Sequence, residues 1–217
     1  MRIMKHKICI VTGFDKGYSD LANIAIPNYL KYINRHNFDL HISTQNVYPV
    51  IGTNYWSPNR HHIIKSILPK YDWVLWVDID CLFIKQSFNV CDLIDDRYNF
   101  ILGINRNSPD WYTEDTSYLE LGTFLIKNDK MSFDMLDDFS SEVLDHPWHD
   151  QYLVIKTLRE NKMYDDATKK LELIQINSMY CCNHDIKDIF IFHVAGGSSI
   201  PLQKRIEIMT EKSKYEY

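Results

Sequence analysis

The stretch Trp73-Val74-Leu75-Trp76-Val77-Asp78-Ile79-Asp80-Cys81-Leu82-Phe83-Ile84 decides the fold of this chain. Five consecutive apolar residues run into two aspartates, a pattern typical of a strand that is buried on both faces and ends at a polar site. Because strand side chains alternate, Asp78 and Asp80 can point the same way at the carboxyl end, where open α/β sheets bind ligands. Buried carboxylates need a neutralising partner, so the pair predicts a divalent cation site; a plain surface strand end is the alternative.

The length and composition of the chain predict a single sizeable core. With 217 residues and 45% hydrophobic content, we expect one compact domain over residues 1–217. The 5 cysteines are an odd number. Three of them, Cys9, Cys81 and Cys91, lie in or beside apolar runs, which favours reduced thiols over a disulfide framework.

The charge and the lengths of the apolar runs argue against other classes of protein. A net charge of -5 with mixed signs lacks the basic stripe of a nucleic-acid binder, so no nucleic-acid partner is expected. No apolar run approaches the length of a transmembrane segment. The first twelve residues lack the cleavage site of a signal peptide, which predicts a cytoplasmic protein.

Strand and helix patterns alternate along the chain, which predicts an α/β fold. Strands are expected at 7–13, 38–43, 100–105, 120–127, 171–176 and 189–193. Helices are expected at 20–35, from the Ser57-Pro58 pair to residue 68, at 132–144, at 150–158, and from residue 202 onward. Pro27 should kink or divide the first of these helices.

Several side chains outside the central stretch are candidates for ligand binding. Phe14 and Tyr18 follow the turn that Gly13 permits and either stack on a base or pack against the first helix. Lys65, just before the central strand, either reaches a phosphate or lies on a solvated face.

Three later segments also offer binding groups. Asp150 is expected to cap a helix and to place Gln151 in its first turn, facing an anionic or hydroxyl-rich ligand. Gly122 lies within a predicted strand and would let a ligand come close. The turn at 194–199 is expected to cradle phosphate with its backbone NH groups.

In their order and spacing, four stretches resemble the GT-A glycosyltransferases. They are WVDID at 76–80, LGTFLIKN at 121–128, HDQY at 149–152 and FHVAG at 192–196. The chain is most similar to the family of galactosyl- and mannosyltransferases of mannan synthesis and xyloglucan xylosyltransferases, and to its small virus-encoded members, for which the location would be the host cytoplasm. The resemblance implies a single GT-A (Rossmann-like) domain with a mixed, mostly parallel central sheet of about six to seven strands flanked by helices.

The resemblance also implies roles for residues at matching positions. Asp78 would contact ribose and metal, and Asp80 and His193 would bind the metal directly, Mn²⁺ or alternatively Mg²⁺. Asp150 would bind sugar hydroxyls, and Gln151 would lie near the anomeric carbon. The nucleotide would be bound by the remaining matching residues, which are Thr12, Gly13, Phe14, Lys65 and Gly196. Tyr18 is added to this set as the aromatic residue that can stack on the base.

The chain departs from the family pattern at two places. Glu120 stands where the family usually has asparagine, so it would contact the donor sugar or take part in the chemistry. The lysine that often follows the final histidine is missing, and Lys204 and Arg205 come only later. The contribution of that loop to phosphate neutralisation is therefore open.

Together these residues predict a metal-dependent glycosyltransferase that moves a hexose or similar sugar from a UDP-sugar to a glycan or glycoprotein acceptor, with retention of configuration. The metal would neutralise the departing diphosphate. The alternatives are a non-catalytic sugar- or nucleotide-binding module of the same fold, a sugar-nucleotide pyrophosphorylase and a metal-dependent hydrolase.

Overall fold

The computed structural model describes residues 6–44, 59–104, 119–141, 149–195, 200–215 and 217. Its strands are β1 (Ile8–Gly13), β2 (Asp39–Ser43), β3 (Trp73–Val77), β4 (Cys81–Phe83), β5 (Phe100–Ile104), β6 (Leu119–Lys127), β7 (Thr168–Glu172), β8 (Ser178–Met179) and β9 (Ile191–His193). Its helices are α1 (Ser19–His36), α2 (Asn59–Ile67), α3 (Lys130–Asp138), α4 (His149–Glu160), α5 (Lys162–Asp166), α6 (Leu173–Ile176) and α7 (Leu202–Lys212).

The larger sheet has six strands in the order β2-β1-β3-β6-β5-β7. Strands β2, β1 and β3 are parallel, β6 runs antiparallel to both of its neighbours, and β7 is parallel to β5. This is the mixed, mostly parallel α/β sheet that the sequence resemblance predicted. The central stretch provides β3, which lies in the interior of the sheet.

Strand β3 is buried on both faces, which explains its continuous apolar sequence. Trp73, Leu75 and Val77 pack into one apolar cluster, which α1 also enters. Val74 and Trp76 pack into a second cluster on the opposite face, together with α2, α3 and α4. The packing on both faces therefore fixes the end of β3, and with it the position of the polar residues that follow.

A smaller sheet places a late part of the chain next to the end of β3. Its strand order is β4-β9-β8, with β9 antiparallel to β4 and parallel to β8. In this register Cys81 is opposite His193. The side chain of His193 is thereby brought beside Asp80, which directly precedes β4.

Several secondary-structure predictions differ from the structure. Helix α1 is not divided at Pro27, since a buried stripe including Leu21, Ala25 and Tyr29 anchors both halves. Residues 173–176 turn into α6, because Glu172 and Gln175 form a capping box that ends β7. Asp150 does not cap α4: it is the second residue of that helix.

Helix α3 ends at Asp138, earlier than predicted. The Ser57-Pro58 pair, Gly196 and the rest of the 196–199 turn lie outside the described residues. Across the part of the chain that is described, no helix is both long and apolar enough to cross a lipid bilayer.

Candidate functional site

The turn after β3 sends its two carboxylates to different partners. The Asp78 NH donates to the Gly122 carbonyl at 2.8 Å, and the Cys81 NH donates to the Asp78 carbonyl at 3.0 Å. The Asp78 carboxylate accepts a hydrogen bond from Trp76 Nε1 at 2.7 Å and lies 3.6 Å from Nη1 of Arg60. Burial raises the pKa of Asp78, partly offset by Arg60, and the nearby Asp80 raises it further.

Asp80 is buried, and each of its two carboxylate oxygens has a partner. Oδ1 lies 3.3 Å from Nε2 of His193, and Oδ2 pairs with Nη2 of Arg205 on α7. Arg205 Nε also donates to the Val194 carbonyl at 3.2 Å. Burial would raise the pKa of Asp80, but His193 and Arg205 together hold it at about 2. This carboxylate is therefore charged throughout the physiological pH range.

His193 is the third buried member of this group. Burial would lower its pKa, but the charge of Asp80 and its hydrogen bond to the ring, together with the charges of Asp78 and Glu120, outweigh burial and raise it. Its Nδ1 atom is buried and has no hydrogen-bond partner among the described residues. The ring lies against Gly122, where an added Cβ would be 2.3 Å from the ring atom Cε1. The sequence predicted close approach at this glycine, and the group that approaches is the imidazole.

The donor atoms of Asp80, Cys81 and His193 all lie within 4.8 Å of one another and could hold a metal ion. A carboxylate and an imidazole suit a divalent transition metal. Burial raises the pKa of the Cys81 thiol well above its usual value, so the metal-free site holds a neutral thiol there. The donor set fits a cation, with Asp80 and His193 as its strongest ligands, while Arg205 is already bound to one of the oxygens.

Arg60 on α2 joins the end of β3 to two other elements. Its Nε lies 3.0 Å from Oδ2 of Asp150 on α4, and its Nη1 donates to the Leu121 carbonyl at 2.5 Å. The guanidinium lies 5.6 Å from the centre of the Trp76 ring. Sequence reasoning missed this residue, because an arginine early in a helix gives no sign that it will be buried.

Glu120 and Gln151 lie on the elements that border this group. Glu120 is buried on β6, and burial raises its pKa to about 7, although His193 acts in the opposite direction. Gln151 lies in the first turn of α4 and is half-buried. Near neutral pH, Glu120 therefore exists in both its protonated and its charged form.

The predicted nucleotide-binding residues are only partly brought together. Thr12 and Gly13 end β1 in the buried core, and Oγ1 of Thr12 has no hydrogen-bond partner among the described residues. Phe14 packs against the α1 side of the core. Tyr18 is 37% exposed, and the Arg205 guanidinium lies 5.3 Å from its ring centre.

Lys65 is directed away from this group. It lies on α2 and pairs with Asp137 at the end of α3, and its side chain is 39% exposed. The structure therefore gives Lys65 a surface ion pair, and Arg60, five residues earlier on the same helix, is the α2 cation that reaches Asp78 and Asp150.

The fold is similar to those of solved glycosyltransferase structures. One is a glycosyltransferase involved in the glycosylation of the major capsid of PBCV-1, with a TM-score of 0.74 and 15% identity over 94% of this chain and 99% of that chain. Another is the galactosyltransferase LgtC in complex with donor and acceptor sugar analogs, with a TM-score of 0.55 and 15% identity over 95% of each chain. The chain has the GT-A glycosyltransferase fold that its sequence motifs predicted.

Two proteins of Arabidopsis thaliana are similar in sequence. Xyloglucan 6-xylosyltransferase 4 is 25% identical over 144 residues, which are 61% of this chain and 27% of that protein. Glycosyltransferase 6 is 23% identical over 155 residues, which are 69% of this chain and 34% of that protein. The chain thus spans only a minor part of the length of either relative. A family model described as "Protein of unknown function, DUF273" matches residues 30–201, and since this is most of the chain, the protein belongs to the DUF273 family.

Proposed function

We propose that this protein is a metal-assisted glycosyltransferase that moves a hexose or a similar sugar from a UDP-sugar to a glycan or glycoprotein acceptor, with retention of configuration. The observation that carries the proposal is the grouping of Asp78, Asp80 and His193 at the end of β3, on a GT-A fold. The glycosyltransferase names of the similar proteins support the same reaction class.

Asp80 and His193 would hold the divalent cation, Mn²⁺ or Mg²⁺. When bound, such an ion neutralises the charge that develops on the departing diphosphate. Imidazole is a softer ligand than Mg²⁺ prefers, so this pair favours Mn²⁺. Asp78 is less buried than Asp80 and is the carboxylate we assign to the ribose as well as to the metal.

The sugar would lie between β6 and the first turn of α4. We assign Asp150 to the sugar hydroxyls and Gln151 to the side of the anomeric carbon. Arg60 holds the Asp150 carboxylate at 3.0 Å, which fixes its orientation. In this arrangement the acceptor hydroxyl attacks from the face that the diphosphate leaves and gives its proton to a departing phosphate oxygen, so the configuration is retained.

Glu120 is the group for which two roles remain. Its raised pKa suits a carboxyl group that gives a hydrogen bond to a sugar oxygen below about pH 7 and accepts one above it. A covalent role would need its carboxylate at the anomeric carbon. We favour the contact role, because strand β6 alone does not aim this side chain at the reacting carbon.

Calorimetric titration of UDP, with and without Mn²⁺, tests the proposal. We expect UDP to bind and Mn²⁺ to strengthen its binding. Incubation with a panel of UDP-hexoses and UDP-xylose should then release UDP from one member of the panel, with slow transfer of its sugar to water in the absence of the acceptor. The absence of resolvable UDP binding in both conditions would contradict the proposal.

The same assay separates the other functions that the sequence left open. A non-catalytic binding module would bind a UDP-sugar without releasing UDP. A pyrophosphorylase would convert the UDP-sugar and pyrophosphate to UTP and a sugar phosphate. Lys65→Gln is a matched control, because it removes a cation from α2 that pairs with Asp137 at the surface.

A further inference from the structure

Arg205 is a cation bound directly to the carboxylate that is the strongest candidate metal ligand. Its guanidinium pairs with Oδ2 of Asp80, and the side chains of both residues are at most 10% exposed. A second hydrogen bond, from Nε to the Val194 carbonyl at 3.2 Å, fixes the plane of the guanidinium. Arg205 is thus built into the metal end of the site.

We infer that Arg205 is the counter-ion of Asp80 that a divalent cation must displace, so that the protein without nucleotide binds such a cation only weakly. The inference rests on the proposed function only in that it places the cation of that reaction at Asp80 and His193. It concerns the affinity of the metal-free protein for the ion.

The physical reason is competition for one buried charge. A dication bound between Asp80 and His193 would lie within a few ångströms of the guanidinium, and like charges repel strongly where water is largely excluded. Asp80 cannot neutralise both cations, and Oδ1 already faces Nε2 of His193 at 3.3 Å. The ion can bind well only if Arg205 leaves Oδ2.

Arg205 has a second partner besides Asp80. Its guanidinium lies 5.3 Å from the ring centre of Tyr18, a residue that is 37% exposed. A guanidinium over an aromatic ring keeps a favourable contact when its carboxylate partner is lost. It also suits phosphate oxygens, because its planar donors match their geometry. Arg205 could therefore exchange Asp80 for the diphosphate of a bound nucleotide.

Titration of Mn²⁺ followed by electron paramagnetic resonance, with no nucleotide or sugar present, tests the inference. We expect Arg205→Gln to bind Mn²⁺ about tenfold or more tightly than the wild type, a gain of about 1.4 kcal/mol or more. Lys204→Gln is the matched control. It removes the same charge one residue away, from an exposed side chain that pairs with Glu207, and should leave the affinity unchanged.

A double variant locates the effect. The gain of Arg205→Gln should vanish when His193→Ala is added, because the extra affinity depends on the ligand beside Asp80. Arg205→Lys keeps the charge but lacks the planar fork that reaches both Asp80 and Val194, and should give an intermediate affinity. If Arg205→Gln does not fold, the Mn²⁺ affinity of Arg205→Lys is compared with that of the wild type instead.

An Arg205→Gln variant that is folded and binds Mn²⁺ no more tightly than the wild type would overturn the inference. So would wild-type protein that binds Mn²⁺ at low micromolar concentration without nucleotide, or an Arg205→Lys variant with wild-type affinity. None of these measurements contains UDP or a sugar. A failure here is therefore distinct from a failure of the proposed transferase activity, which the UDP titration reports.

Discussion

The imidazole of His193 lies directly on the backbone of Gly122, at a distance that excludes a methyl group. A Cβ at Gly122 would be 2.3 Å from Cε1 and 2.5 Å from Nδ1 of the ring. The glycine lies on β6 and the histidine on β9, so this contact fixes the smaller sheet against the larger one. The position of the candidate metal ligand therefore depends on a residue that has no side chain.

We expect Gly122→Ala to displace His193, because the ring and the new methyl group cannot occupy the same space. Overpacking of this kind costs about 1–3 kcal/mol of folding stability. The affinity for Mn²⁺ in the presence of UDP should fall about tenfold or more. Urea unfolding and calorimetry measure the two effects.

Gly17→Ala is the control for this substitution. The nearest atom to a Cβ at Gly17 is Oδ1 of Asp15 at 3.1 Å, the end of a side chain that can move. The folding stability of the Gly17→Ala variant should change much less than that of Gly122→Ala. Unchanged Mn²⁺ affinity in a folded Gly122→Ala variant would show that His193 does not bind the metal from its present position.

Arg60→Met should be strongly destabilising. It removes the guanidinium from between two buried or half-buried carboxylates, those of Asp78 and Asp150. The loss of one partner from a buried ion pair costs about 3–5 kcal/mol. Urea denaturation measures this loss.

Lys65→Met, on the same helix, tests whether the loss of stability in Arg60→Met comes from the buried position of the arginine or simply from the loss of a positive charge. Its surface pair with Asp137 should contribute at most about 1 kcal/mol. Equal destabilisation by the two substitutions would contradict the role of Arg60 as the link between α2, β3 and α4.

His193→Ala should weaken Mn²⁺ binding more than Mg²⁺ binding, because it removes the softest ligand that we assign to the metal. The measurement is the affinity for each ion in the presence of UDP. A loss of equal size for both ions would indicate that His193 acts only through packing on Gly122.

Glu120 predicts a specific dependence of stability on pH. Burial raises the pKa of this carboxyl group from 4.5 to about 7 in the folded protein. Between these two values the folded state holds a proton that the unfolded state has lost, so the free energy of unfolding falls as pH rises. The decrease from Glu120 is at most about 3 kcal/mol and is complete above about pH 7.

Glu120→Gln should remove this part of the pH dependence, since the amide does not titrate. The comparison is the difference in unfolding free energy between variant and wild type at pH 5 and pH 8, and the variant should gain relative stability at pH 8. His193 is present in both proteins, but Glu120 contributes to its raised pKa, so the comparison reports the titration of these two groups together. An equal difference at the two pH values would show that Glu120 is charged throughout.

The same substitution distinguishes the two catalytic roles of Glu120. If the side chain only contacts a sugar hydroxyl, Glu120→Gln keeps an acceptor atom. The activation free energy of transfer should then rise by about 1.5–3 kcal/mol. A nucleophile would lose nearly all transfer while UDP binding persists. Rescue of Glu120→Ala by azide, with a glycosyl azide of inverted configuration, would establish the covalent role and contradict our preference.

The sequence by itself determined the class of fold and the location of its central strand. Residues 73–77 are apolar without interruption, a pattern typical of a strand covered on both faces. Short-range signals also placed β1, β5, β6 and α7 to within a few residues. At 173–176 the mostly apolar sequence favoured a strand, but the capping box prevailed, and the strand predicted at 171–176 was wrong beyond Glu172.

The tertiary structure alone decided which charges meet. Asp80 and Arg205 are far apart along the chain, and only the packing of α7 on α1 and the pairing of β4 with β9 bring the guanidinium to that carboxylate. The helix α2 carries both Arg60 and Lys65, and only the tertiary structure shows that Arg60 is the one that is buried beside Asp78 and Asp150. Ion pairing and burial depend on distances between elements, and these distances are set by the packed core rather than by any local pattern.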